Sequence, residues 1–170
     1  IKMTTQDKST FKTKITHIIM AETYDFLISV SMDGIIKFWK KKLIGIEFVK
    51  QYKAHSNNIQ SINICKDGSL LASVSNDKNC CIFDISTFDM ISRINLTFLP
   101  SICCWIHHTK KNVTAMIAIS HSKNGLISIF KPKQFDNKII YEIKDIHKYK
   151  ILCMKYNEKY ECVKGNITNK

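Results

Sequence analysis

Two groups of side chains in this sequence carry the chemistry of an active site. His55, Ser73 and Asp77 are the base, nucleophile and orienting acid of a hydrolytic triad, in which histidine takes the serine proton and aspartate holds the imidazole. The run Cys103-Cys104-Trp105-Ile106-His107-His108 brings two thiols and two imidazoles into six residues, the ligand types that zinc prefers. The elements that would position them argue against both. Side chains alternate between the faces of a strand, so Cys103 and His107 share one face and Cys104 and His108 the other, and the four cannot converge on one ion. Ser73 and Asp77 recur 44 residues upstream as Ser29 and Asp33 without a histidine, and no Gly-x-Ser-x-Gly elbow presents a nucleophile. The sequence therefore predicts no catalytic residue, no bound metal and no cofactor.

The positioning elements are hairpins. Residues 26–39, FLISVSMDGIIKFW, read as a strand, a two-residue Asp33-Gly34 turn and a returning strand, because aspartate and glycine tolerate the positive φ such a turn demands. Shifted by 44 residues, this hairpin lies without a gap on residues 70–83, LLASVSNDKNCCIF. Ile15 then falls on Ile59, Leu27 on Leu71, Val30 on Val74 and Ser31 on Ser75, while Trp39 meets Phe83. A third copy follows at slightly longer spacing, with Ser120, Asn124 and Phe130 in the places of Ser73, Asp77 and Phe83 and an Asn124-Gly125 turn. A period of roughly 40–45 residues holding four short strands marks a β-propeller blade.

The expected class is all-β: a polar lead-in over residues 1–14, blades at about 15–54, 58–98 and 101–147, and a partial fourth over 148–170. His147 stands four residues before Ile151, as His55 stands four before Ile59, so the fourth blade opens with ILCMKYN. The rim strand of the first blade, IEFVKQYK, alternates less cleanly and carries more charge, as an outermost edge should. Propellers close with roughly four to eight blades, so three and a part predict a fragment of a longer chain.

Composition narrows the partners. The net charge is +12, but of 26 basic residues only Arg93 is an arginine, and the lysines are scattered between strands rather than gathered on one face. Base recognition favours the arginine fork, so direct nucleic-acid contact is the lesser alternative to protein docking. The seven cysteines form no Cys-x-x-Cys, which predicts reduced thiols, mostly buried. No apolar run approaches the roughly 18 residues of a membrane span, and IKMTTQDKST lacks the apolar core of a secretory signal; the expectation is an intracellular chain without a membrane partner. Loops of successive blades crowd one face of a propeller, and the turns at Glu22 to Asp25, Lys66 to Ser69 and His108 to Asn112 are candidate contact points.

The recurring residues resemble those of WD-repeat propellers. In that family a histidine at the blade entry, a serine or threonine on the second strand, an aspartate in the next turn and a tryptophan on the third strand form a structural hydrogen-bonded network. The resemblance implies such a role for His55, Ser73 and Asp77 in the second blade, where Phe83 replaces the tryptophan. In the first blade it implies it for Ser29, Asp33 and Trp39, with Phe11 at the histidine position. The strings KFWKK at 37–41, GIEFVK at 45–50, FDMI at 88–91 and Cys104-Trp105-Ile106 are similar, more narrowly, to the amino-terminal propeller of nuclear cyclophilins that carry a WD-repeat domain. That likeness implies a scaffold belonging to a spliceosomal peptidyl-prolyl isomerase, with spliceosomal proteins as partners and a nuclear location. Nothing in the chain resembles a cyclophilin barrel, so no isomerase residue transfers to it.

Overall fold

A computed structural model describes residues 13–106, 115–132 and 138–157 and the backbone of 162–167. Among the described residues the alternating stretches form fourteen strands. β1 (Ile15–Ala21), β2 (Phe26–Ser31), β3 (Ile35–Lys41) and β4 (Ile46–Lys53) make the first antiparallel sheet, in sequence order. β5 (Ile59–Ile64), β6 (Leu70–Ser75), β7 (Asn79–Asp84) and β8 (Met90–Asn95) make the second, and β9 (Pro100–Ile106), β10 (Met116–His121), β11 (Ile127–Phe130) and β12 (Ile139–Ile143) the third. β13 (Ile151–Asn157) pairs with β14 (Cys162–Ile167). The fold is all-β with three complete blades and two strands of a fourth. Phe11, most of the lead-in, His107, His108 and the turn at His108 to Asn112 lie outside the described residues.

The innermost strands gather along one line, β1 against β5, β5 against β9 and β9 against β13. Period-two alternation then gives each middle sheet two buried faces. From the second sheet, Leu71, Cys81 and Phe83 join Ile28, Val30, Ile36 and Phe38 of the first in one core. Ala72, Val74, Cys80 and Ile82 point the other way, into a second core with Trp105, Ile117, Ile119 and Phe130. A third core joins Cys104, Ala118 and Ile129 to Ile151 and Met154. β4 is largely exposed along its length, with Tyr52 packed against the first core.

Bulges recur with the repeat. Thr16, Gln60 and Leu152 are each the extra residue near the start of an inner strand, and Val49, Ile91 and Ile140 each the extra residue in a rim strand. One added residue bends its strand and sharpens its twist, so a shared bulge position gives successive blades a shared curvature.

The hairpin turns depart from expectation. Only Gly34 of the Asp33-Gly34 pair has positive φ (83°), and its N–H donates to Ser31 O at 3.0 Å. The loop is therefore three residues long, a turn closed by one left-handed residue. Lys78 takes the same place in the second blade at φ 62°, donating to Ser75 O at 3.0 Å. In the third blade the strands stop at His121 and resume at Ile127, so Asn124-Gly125 sits inside a longer loop rather than forming a tight turn. Gly125 is required for another reason: a Cβ there would stand 2.1 Å from His147 O.

Candidate functional site

In the second blade His55, Ser73 and Asp77 come together. His55 arrives on the connection from β4, Ser73 lies in the middle of β6, and Asp77 in the β6–β7 turn. His55 Nε2 lies 2.8 Å from Ser73 Oγ, and Nδ1 lies 3.1 Å from each Asp77 carboxylate oxygen. The same carboxylate accepts the Ser56 and Asn79 N–H groups, both at 3.0 Å, so it ties the blade entry to the turn. Ser75 Oγ accepts the Asp77 N–H at 3.2 Å and donates to the Asn58 carbonyl at 2.9 Å.

Burial lowers the His55 pKa, outweighing the opposing pull of the Asp77 carboxylate, and Arg93 acts in the same direction as burial. The ring is neutral at pH 7: Nδ1–H donates to Asp77 and Nε2 accepts the Ser73 hydroxyl. Burial alone would raise the Asp77 pKa, but His55 and the Ser56 and Asn79 amides hold it below the usual carboxylate value. Ser73 is 0% exposed and His55 1%, so the serine hydroxyl is sealed from solvent. Buried polar groups of this kind must satisfy one another, and here they fix how a loop sits on a hairpin.

Arg93 is a member of this site that sequence reasoning missed. Its guanidinium reaches from rim strand β8, with Nη2 donating to Ala54 O at 2.7 Å beside the blade entry. Phe83, in the tryptophan's place, has no donor; it packs instead against Tyr52 and Phe38, at ring centroid distances of 5.5 and 6.4 Å. The available signal was that the chain's single arginine falls on a strand otherwise expected to face solvent.

The first blade has a different subset. Trp39 Nε1 donates to Ser29 Oγ at 2.8 Å, in a buried contact. Asp33 serves its own turn, accepting from Ser31 Oγ at 2.5 Å and from the Ile35 N–H at 3.4 Å. In the third blade the register differs from the expected one. Phe83 pairs with Leu71 and Ser73 with Cys81, whereas Phe130 pairs with Ile117 and Ile119 with Ser128. Counted from the two phenylalanines, Ile119 occupies the Ser73 position, and Ser120 falls on the opposite face, accepting the Ile102 N–H at 3.1 Å. His121 takes over the polar role with Nε2 2.9 Å from Ser128 Oγ, its ring stacked on Phe98 with centroids 3.4 Å apart and planes 10° from parallel.

The thiols divide as strand alternation requires. Cys103 enters the second core, where burial pushes its pKa up to about 12, and Cys104 enters the third, where burial also raises it. Among the described residues no three His, Cys, Asp or Glu side chains are placed to hold a metal ion.

Stacked four-stranded sheets about a common line, with a histidine, serine and aspartate locking a blade entry, define a WD-repeat β-propeller, and the chain belongs to that family. The sequence profile of the WD domain, G-beta repeat, matches residues 5–40 and 46–84. Across most of its length the chain is similar to proteins named as peptidyl-prolyl isomerases. It is 38% identical over 139 residues (82% of the chain) to peptidyl-prolyl cis-trans isomerase cyp15 of Rhizopus delemar, and 36% identical over 143 residues (84%) to peptidyl-prolyl cis-trans isomerase CYP71 of Arabidopsis thaliana. It is 36% identical over 149 residues (88%) to the Homo sapiens peptidylprolyl isomerase domain and WD repeat-containing protein 1. The chain spans 22% of the length of the first two and 23% of the third.

Proposed function

We propose that the chain is a non-catalytic docking scaffold, the WD-repeat part of a nuclear, spliceosome-associated peptidyl-prolyl isomerase of the cyclophilin type. The observation that carries this reading is the 36–38% identity, over more than four fifths of the chain, to proteins whose names join isomerase activity to WD repeats. The geometry supports a scaffold. The Ser–His–Asp constellation of the second blade is enclosed and spent on holding a loop, and the pKa values of the core thiols Cys80, Cys81 and Cys103 are raised by burial, which leaves them protonated and unreactive. Rigid stacked sheets carrying loops on one face give a broad surface for partner proteins, and in this reading isomerisation of X-Pro bonds belongs to a separate cyclophilin domain.

The test is to read the transcript past Lys170 and to assay the protein it encodes. Further blades followed by a cyclophilin domain are expected, with prolyl isomerisation unaffected by Ser73→Ala. The full-length protein should concentrate in the nucleus and co-purify with spliceosomal small nuclear RNAs. A reading frame without a cyclophilin domain, or isomerase activity abolished by Ser73→Ala, overturns the proposal.

A further inference from the structure

The entries of the second and third blades differ in one chemical respect. At the second, the Asp77 carboxylate fills the space between turn and entry loop, binding His55 Nδ1 and the Ser56 and Asn79 amides. At the third, the turn offers Asn124 instead, whose Oδ1 accepts the Leu126 N–H of its own loop at 3.3 Å. A cleft of about 290 Å³ opens there, between the Lys78 turn and the loop at residues 122–124. Its lining includes Phe98 and His121, stacked on each other, with Ser122, Lys123 and Asn124 beside them and Lys78 opposite.

No aspartate or glutamate lines this cleft. Neither Lys78 nor Lys123 is in an ion pair among the described residues, and both are exposed. Glu142, the acid whose field reaches His121, is on rim strand β12 and is paired with Lys144 at 3.2 Å. The walls are held in place. Lys78 O accepts the Leu96 N–H at 2.7 Å, the Ser122 N–H donates to Leu99 O at 2.8 Å, and Gly125 lies so close to His147 O that the loop is pinned to the fourth blade's entry. The volume is near the lower end of ligand pockets, roughly 300 Å³, and admits a side chain with its adjoining backbone.

We propose that this cleft docks an acidic segment of a partner protein, a glutamate or aspartate entering between Lys78 and Lys123 and taking the position that Asp77 supplies from within the chain one blade earlier. The backbone flanking that residue lies along the Phe98–His121 stack, and the hydroxyl of Ser122 and the amide of Asn124 donate to it. This rests on the scaffold reading and names the chemistry of one of its contacts.

The experiment uses the full-length protein and a fluorescein-labelled (Glu-Asp)6 peptide, read by anisotropy at about 0.15 M salt, where charges beyond roughly 8 Å are screened. Lys78→Gly keeps the left-handed backbone that Gly34 uses in the first blade, and it is combined with Lys123→Gln. Lys41→Gln with Lys155→Gln removes the same charge elsewhere. The cleft pair should weaken binding at least tenfold and the remote pair less than twofold. A peptide ending in a benzophenone should crosslink within residues 97–99 or 121–124. Equal loss in both pairs, crosslinking elsewhere, no peptide binding by the unaltered protein, or displacement by a 12-nucleotide oligouridylate that loses affinity through the same lysines each overturns the proposal. Co-purification of the unaltered full-length protein with its nuclear complex is scored separately, so the cleft can fail while the scaffold reading stands.

Discussion

Asp77→Ala tests the reasoning about the blade entry most directly. The side chain, 6% exposed, accepts from His55 Nδ1 and from the amides of Ser56 and Asn79. A hydrogen bond to a charged group is worth about 1.5–3 kcal/mol net, and a buried donor left without an acceptor costs about 1–3 kcal/mol. The three bonds share one carboxylate and do not add, and the Ser56 amide can turn to water while His55 Nδ1–H cannot. The expected local loss is about 3–5 kcal/mol. Asp33→Ala, which removes bonds to Ser31, Ile35 and Thr13 near the surface, where the freed groups can turn to water, should cost about 1 kcal/mol. Native-state hydrogen exchange of the full-length protein reads both at residue level, and 3 kcal/mol corresponds to roughly a hundredfold faster exchange. Acceleration of less than tenfold at Ser56 and Asn79, or equal costs for the two aspartates, would refute the claim that the Asp77 carboxylate holds the entry loop.

Three further outcomes follow from the same geometry. The His55 pKa lies below its unfolded value of 6.5, so the folded state binds fewer protons than the unfolded one; its contribution to stability is complete above pH 6.5 and fades as the pH falls toward the folded pKa. The Asp77 contribution has the same sign and fades below about pH 3.8. Denaturant midpoints should therefore fall from pH 7 to 5, with a flatter slope in His55→Gln, and a rise over that range would contradict the burial argument. Gly34→Ala places a Cβ 2.3 Å from His55 O at φ 83° and should cost about 3 kcal/mol or more, whereas Gly45→Ala, at φ 91° with nothing within 4 Å, should cost only the left-handed penalty of about 1–2 kcal/mol. Comparable midpoints for the two variants would contradict the close approach. Exposed Cys153 should react with a disulfide reagent in the folded protein, while buried Cys80 and Cys103 stay unreacted until denaturant is added; Cys103 labelling as fast as Cys153 would show that the second core is open.

The linear order of residues determined the blades. Period-two alternation, a 44-residue echo and turn residues at fixed offsets placed the strands of the three blades and β13 to within a few residues, because each of those signals is local and repeats, whereas β14 lies where the pattern decays. The periodicity alone did not group His55, Ser73 and Asp77; the resemblance to WD-repeat propellers implied that they meet, and the hydrogen bonds of the second blade join them. Tertiary structure decided everything that depends on register. One residue of slip on β10 turned Ser120 to the other face and left Ile119 in the Ser73 position, with His121 two residues further along the same face, and a strand with small or apolar residues on both sides gives no pattern by which to foresee the slip. It also decided that Arg93 reaches back to Ala54, that Lys78 adopts a backbone usually left to glycine, and that a cleft opens where Asn124 replaces an aspartate. Those contacts join residues about 20 to 45 positions apart in the chain, and they exist only once bulges and stacked sheets have set the distances between them.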